Sequence, residues 1–208
     1  MQKQVAKEHY EFGKYVTKQR WASVWHQLDE ITRLTPNNVL EIGPGPGIFK
    51  AAARSLGYCV ETLDIDPDLK PDHVASVFAM PFDDRSFDVV CAFQMLEHLP
   101  FERSLQAFKE MVRVSGKAIV ISLPDAATRW PFTGYIPKFG LVSFSIPRPR
   151  IRPKKHVFDG EHYWEINKAD YPLSRIIKSL TQDLPITLVR TYRVPENPYH
   201  RFFVYSKN

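Results

Sequence analysis

Val39-Leu40-Glu41-Ile42-Gly43-Pro44-Gly45-Pro46-Gly47-Ile48-Phe49 is the stretch that decides the fold. A short apolar run ends beside a carboxylate, enters a loop with glycine at alternate positions and leads into a predicted helix. Glycine lets the backbone take positive φ and lets a ligand press against the main chain with no Cβ in the way. The loop also presents a helix N-terminus, whose free N–H groups favour an anion. A dinucleotide fingerprint would need glycine where Ile48 stands, and a phosphate-cradling loop would end in Gly-Lys-Ser/Thr rather than Gly47-Ile48-Phe49. No basic residue lies between Val39 and Phe49. A ligand with an adenosine, no phosphate and an amino-acid end suits the loop better.

Outward from this loop, strands and helices alternate. Val5 to Leu34 reads as helical, with Trp21, Val24, Trp25, Leu28, Ile31 and Leu34 at three- and four-residue spacing. Val39 to Ile42 is strand one, continuously apolar as for a strand covered on both faces. A helix over Ile48 to Leu56 ends at Gly57, a C′ residue. Strand two spans Tyr58 to Leu63. Asp66-Pro67 reads as an N-cap followed by proline at the first helical position. His73 to Val77 is a short third strand, Phe87 to Phe93 a fourth and Lys117 to Leu123 a fifth, with a helix over Phe101 to Val114. This rhythm predicts an α/β three-layer sandwich with a mostly parallel seven-stranded sheet. Pro185 to Val194 and Tyr199 to Tyr205 are joined by a link too short for a crossover helix, so the C-terminal pair is an antiparallel hairpin.

Composition adds boundaries. The 208 residues suit a single domain over 1–208, with an N-terminal helical cap at 1–35 and an inserted cap at 124–169. Cys59 and Cys91 read as small core residues in a reducing compartment, and with no apolar leader or 18-residue apolar run a cytoplasmic location is expected. The net charge of +5 is local. Ala126 to Phe158 holds seven Lys/Arg (Arg129, Lys138, Arg148, Arg150, Arg152, Lys154, Lys155) and no Asp or Glu. The remainder has 21 basic against 23 acidic residues. A basic patch of this kind points to an anionic partner.

The pattern Glu41-x-Gly43-x-Gly45-x-Gly47 after a strand resembles the first motif of the class I S-adenosylmethionine-dependent methyltransferases. The resemblance covers residues 36 to 124 well and the ends in outline. It implies the Rossmann-like fold, S-adenosyl-L-methionine as cofactor and S-adenosyl-L-homocysteine as product. It places the methionine carboxylate near the helix N-terminus and its ammonium group near Glu41. Asp64, followed by Ile65, aligns with the acid that binds the ribose hydroxyls. Met80-Pro81-Phe82…Ser86-Phe87-Asp88 resembles the segment before strand four. Where family members often carry an Asp for adenine this chain has Ser76, leaving the backbone of Val77 and Phe78 and the apolar side of Met80 as adenine contacts. Gln94 and Met95 would line the methionine end.

Candidates for chemistry lie on the acceptor side. His98, in Glu97-His98, is either a general base or a structural, cofactor-side residue. Val157 to Ile166 is the densest cluster of functional side chains. There Glu161, His162 and Glu165 are candidate bases, and Tyr163 and Trp164 offer stacking surfaces. The alternative is a loop anchored by its aromatics. Arg148, Arg150, Arg152 and His156, held extended by Pro147, Pro149 and Pro153, are candidates for binding an anionic acceptor. No metal site is expected. The expected reaction is methyl transfer to an oxygen or nitrogen of a small or medium-sized acceptor, anionic or sugar-containing. An RNA or protein acceptor gripped by the basic run, and a non-catalytic cofactor-binding scaffold, are the alternatives.

Overall fold

The computed structural model describes residues 12–149 and 152–208. Seven strands form one sheet: β1 (Val39–Ile42), β2 (Val60–Asp64), β3 (His73–Val74), β4 (Phe87–Phe93), β5 (Ser115–Pro124), β8 (Ile186–Arg193) and β9 (His200–Lys207). Their spatial order is β3-β2-β1-β4-β5-β9-β8. The first five run parallel. The β9 strand enters antiparallel between β5 and β8. The α/β fold and the C-terminal hairpin are therefore as expected, and all four residues of β1 are buried.

Helices cover both faces. On one side α2 (Lys18–Leu34) and α3 (Ile48–Ser55) flank a core holding Ile31, Phe49, Val89, Val120 and Phe202. On the other, α4 (Phe101–Val114) and α5 (Leu173–Thr181) cover Ile119, Ile121 and Phe203. Helix α3 stops as its sequence demands. Gly57 takes φ +92°, its N–H donates to the Arg54 carbonyl, and the Tyr58 N–H donates to that of Ala53. This is the Schellman arrangement that a C′ glycine permits.

Several expectations are corrected. The N-terminal helix is interrupted: α1 (Phe12–Tyr15) is separated from α2 because the Thr17 hydroxyl caps a new helix, accepting from the Arg20 N–H. Residues 5–11 lie outside those described. The α2 stripe turns only Val24 and Ile31 fully inward, while Trp21 and Trp25 are exposed. Cys59 is exposed and only Cys91 is a core residue. Residues 124–169 also carry structure that the sequence leaves unassigned. They hold an unforeseen hairpin, β6 (Arg129–Ile136) with β7 (Gly140–Pro147), whose tip residue Phe139 is 81% exposed. Lys138 turns it at φ +72° without the Asn-Gly dipeptide that marks such turns in sequence. Among the described residues no helix is long and apolar enough to cross a membrane.

Candidate functional site

The parallel strands β1, β2 and β4 end on one edge, and each delivers part of a cleft there. After β1, Gly43, Gly45 and Gly47 all take left-handed φ of +54° to +73°. A Cβ on Gly43 would sit 2.5 Å from Met95 Cγ, so glycine is required both by the turn and by the approach of the β4 loop. After β2, Asp64 accepts a hydrogen bond from the Asp66 N–H, while Asp66 caps the short helix at Pro67–Leu69 as anticipated. Burial raises the Asp64 pKa above its usual value. Asp64, Ile65, Ser76, Val77, Gly43 and Met95 line a mainly apolar recess. Phe78 and Met80 do not line it. Met80 is buried in the core, and the Phe78 ring carries the Arg103 guanidinium 3.9 Å from its centre.

A second recess opens beyond the glycine loop, lined by Glu41, Gln94, Tyr15, Arg20 and His200 among others. Glu41 is 4% exposed, and its Oε2 has no hydrogen-bond partner. Burial pushes its pKa up to about 8, with Lys50 lowering it only in part. The Lys50 ammonium lies 2.6 Å from Asp72 instead. A buried carboxyl with an unmet oxygen is what a cationic ligand group would complete. Gln94 holds φ +54°, unusual away from glycine, with its main-chain N–H donating to the Ser122 carbonyl. Tyr15, Arg20 and His200 were not among the sequence candidates. They come from two helices and the last strand, and no local pattern marks them. His200 is buried with its Nδ1 unmet, and burial, then Arg20, lower its pKa to about 3, so it is neutral.

Beyond β4, His98 and His162 meet edge-to-face with ring centres 5.1 Å apart. His98 Nδ1 lies 3.1 Å from the Glu161 carbonyl, so the backbone of Glu161 takes part here. His162 Nδ1 lies 3.2 Å from Glu165, which also accepts from the Tyr199 hydroxyl and pairs with Lys168. Burial alone would raise the Glu165 pKa, but the bonds from His162, Tyr199 and Lys168 hold it at about 2. Burial, then His162, lower the His98 pKa; burial opposes the rise at His162, where Glu165 and Glu97 prevail. Glu165 and Tyr199 also line a cleft of about 390 Å³ with Arg129 and Lys168, within the size range of small-molecule sites.

Trp164 is a correction. It is 1% exposed, packs against Phe101 and donates from Nε1 to the Leu99 carbonyl, so it anchors the loop and offers no stacking surface. Tyr163 stays partly exposed against Phe158, with ring centres 4.5 Å apart. His156 bonds the His162 carbonyl through Nε2 at 2.8 Å, steadying the loop that carries His162. Arg148 and Arg152 are exposed, and Arg150 lies outside the described residues.

Residues 12–167 match the family model described as a methyltransferase domain. An uncharacterized methyltransferase of Mycobacterium avium (strain 104) is 32% identical over 154 residues, covering 64% of this chain and 58% of that protein. One from Mycobacterium sp. (strain JLS) is 31% identical over 135 residues, covering 59% and 51%. The chain thus spans about half the length of the curated relatives it matches. Among solved structures, the Burkholderia thailandensis 1,6-didemethyltoxoflavin-N1-methyltransferase, crystallised with 1,6-didemethyltoxoflavin and S-adenosylhomocysteine, superposes with a TM-score of 0.63 at 15% identity, covering 97% of this chain and 84% of that one.

Proposed function

The chain belongs to the methyltransferase-domain family, and from that premise we propose that it transfers a methyl group from S-adenosyl-L-methionine to an oxygen or nitrogen of a small or medium-sized acceptor. The observation that carries this reading is Glu41. Its buried carboxyl has an unmet oxygen beside three left-handed glycines, and Asp64 stands at the next strand end. S-adenosylmethionine, when bound, supplies an electrophilic methyl on a sulfonium.

The residues of this chain do the rest. Glu41 would hold the ammonium end and Asp64 the ribose hydroxyls, each through charge-assisted hydrogen bonds. Ile65, Val77 and Met95 give a flat ring an apolar bed. Gln94, held by Ser122, shapes the methionine end. His98 and His162 orient the acceptor, and the Arg129–Lys168 cleft suits an anionic or polar one. Much of the acceleration in such a displacement comes from holding two reactants in line. Calorimetry with S-adenosylhomocysteine tests the donor site, and no measurable binding refutes it.

Arg148, Arg152, Lys154 and Lys155 are all exposed on the cap, which supports a second reading in which a polynucleotide is the acceptor. That reading requires binding whose logarithm falls linearly with the logarithm of salt concentration. Binding that ignores salt eliminates it.

A further inference from the structure

Glu97 is a buried acid that the methyl-donor site does not use. It is 0% exposed, and neither carboxylate oxygen has a hydrogen-bond partner. Acids buried this way are rare unless paired or bound to a metal. Two imidazoles converge on it. One ligand atom from each of Glu97, His98 and His162 lies within 4.8 Å of the other two.

Both imidazoles are braced from outside the cluster. The Glu161 carbonyl can only accept, so His98 carries its hydrogen on Nδ1 and keeps the Nε2 lone pair. The Glu165 carboxylate sets the same tautomer on neutral His162. Histidines that bind metals are oriented by such carbonyl and carboxylate partners. A rival grouping, Asp159 with His162 and Glu165, is less suited. Asp159 already accepts from the Glu161 and His162 N–H groups, and Glu165 from Tyr199 and Lys168.

We propose that Glu97, His98 and His162 form a three-ligand site for a divalent first-row transition ion, with coordination positions left open for an oxygen of the acceptor. Two nitrogens and one carboxylate suit zinc, cobalt, nickel or ferrous iron better than the all-oxygen preference of magnesium or calcium. Three protein ligands are what catalytic metal sites use, keeping a position for water or substrate. The place is apt. Glu97 and His98 follow within four residues of Gln94, which lines the recess beside Glu41. An acceptor hydroxyl on the ion would lose its proton to solvent more readily than in water. Its oxygen would then bond the methyl carbon as the sulfur–carbon bond breaks, the sulfur keeping the electron pair.

The acceptor's part in this proposal rests on the methyltransferase reading, but metal binding does not. The test is titration of the chelator-stripped full chain with Co²⁺, followed by visible absorption and calorimetry. One equivalent is expected, with a d–d band. Glu97→Gln and His162→Gln should each weaken it by about tenfold or more, and Glu165→Gln, a change in an outer partner, by roughly 10–100-fold. Thermal denaturation in chelator checks that each variant folds. Absence of a bound equivalent, or an equivalent that survives both Glu97→Gln and His162→Gln, overturns the site. S-adenosylhomocysteine binding to the metal-free protein is measured in parallel. Its persistence when cobalt fails to bind confines the failure to the metal site, and its loss tells against the donor site as well.

Discussion

Replacing Glu41 by glutamine separates what the carboxyl costs the fold from what it does for the ligand. In the folded protein its pKa is raised from 4.5 to about 8 because burial disfavours the charged form. A raised pKa means that the native state holds the proton over a window where the unfolded chain has released it. Stability from this group is therefore fully present below pH 4.5 and is lost as pH climbs toward 8. At 1.36 kcal/mol per pKa unit, the deficit at pH 7 is 2.5 units, about 3 kcal/mol, and at pH 5.5 about 1.4 kcal/mol. Glu41→Gln keeps the shape and removes the titration. Its advantage over the unliganded wild type should widen by about 2 kcal/mol between pH 5.5 and 7, a relative rise in Tm of roughly 4–8 °C. Ligand binding should change in the opposite direction. Loss of a charge-assisted hydrogen bond of about 1.5–3 kcal/mol weakens S-adenosylhomocysteine by roughly 10–100-fold. Because wild-type Glu41 is protonated at pH 6.5 and must ionise against an ammonium, binding should release close to one proton. Calorimetry in buffers of different ionisation enthalpy reads that proton directly. Buffer-independent heats for the wild type, or equal affinity in Glu41→Gln, would refute the reasoning.

Three further changes probe neighbouring features. Asp64→Ala should weaken S-adenosylhomocysteine by roughly 10–100-fold in calorimetry and leave the urea midpoint nearly unchanged, since Asp64 is only partly buried and makes few internal bonds. Gly43→Ala forces a Cβ against Met95 Cγ at 2.5 Å and a side chain into φ +68°. It should cost about 1–3 kcal/mol in chemical denaturation and impair donor binding as well. Trp164→Ala empties a fully buried site and strands the Leu99 carbonyl. A loss of about 3–5 kcal/mol is expected; an unchanged denaturation midpoint with altered acceptor affinity would restore it as a surface residue.

Much of the candidate donor site could be read locally. Three alternating glycines demand left-handed backbone, a continuous apolar run demands a covered strand, and Asp66-Pro67 demands a cap. Each requirement spans a few residues, so each is written in consecutive letters. The antiparallel ending was equally legible, because a six-residue link cannot carry a crossover. Aromatic residues show where this kind of reading ends. Trp21 and Trp25 sit at helical core spacing yet face outward, while Trp164, in a loop full of polar side chains, is among the most buried residues. Periodicity says which residues share a face, not which face the rest of the chain covers.

Charge and protonation lay further out of reach. Glu41 in sequence is an acid beside glycines; that its oxygen is unmet depends on Lys50 turning to Asp72, and its raised pKa on the closure of β1 within the sheet. His200, Arg20 and Tyr15 reach Glu41's recess from opposite ends of the chain. Glu97 and His98 meet His162 only because the loop after the exposed hairpin folds back, with the Tyr163 N–H bonded to the Glu97 carbonyl and Trp164 sunk in the core. The sequence by itself determined the main sheet and the glycine loop, since dihedral preference and hydrophobic period act between near neighbours. Only the tertiary structure decided which polar groups lie buried and unmet, because desolvation depends on every element packed around them.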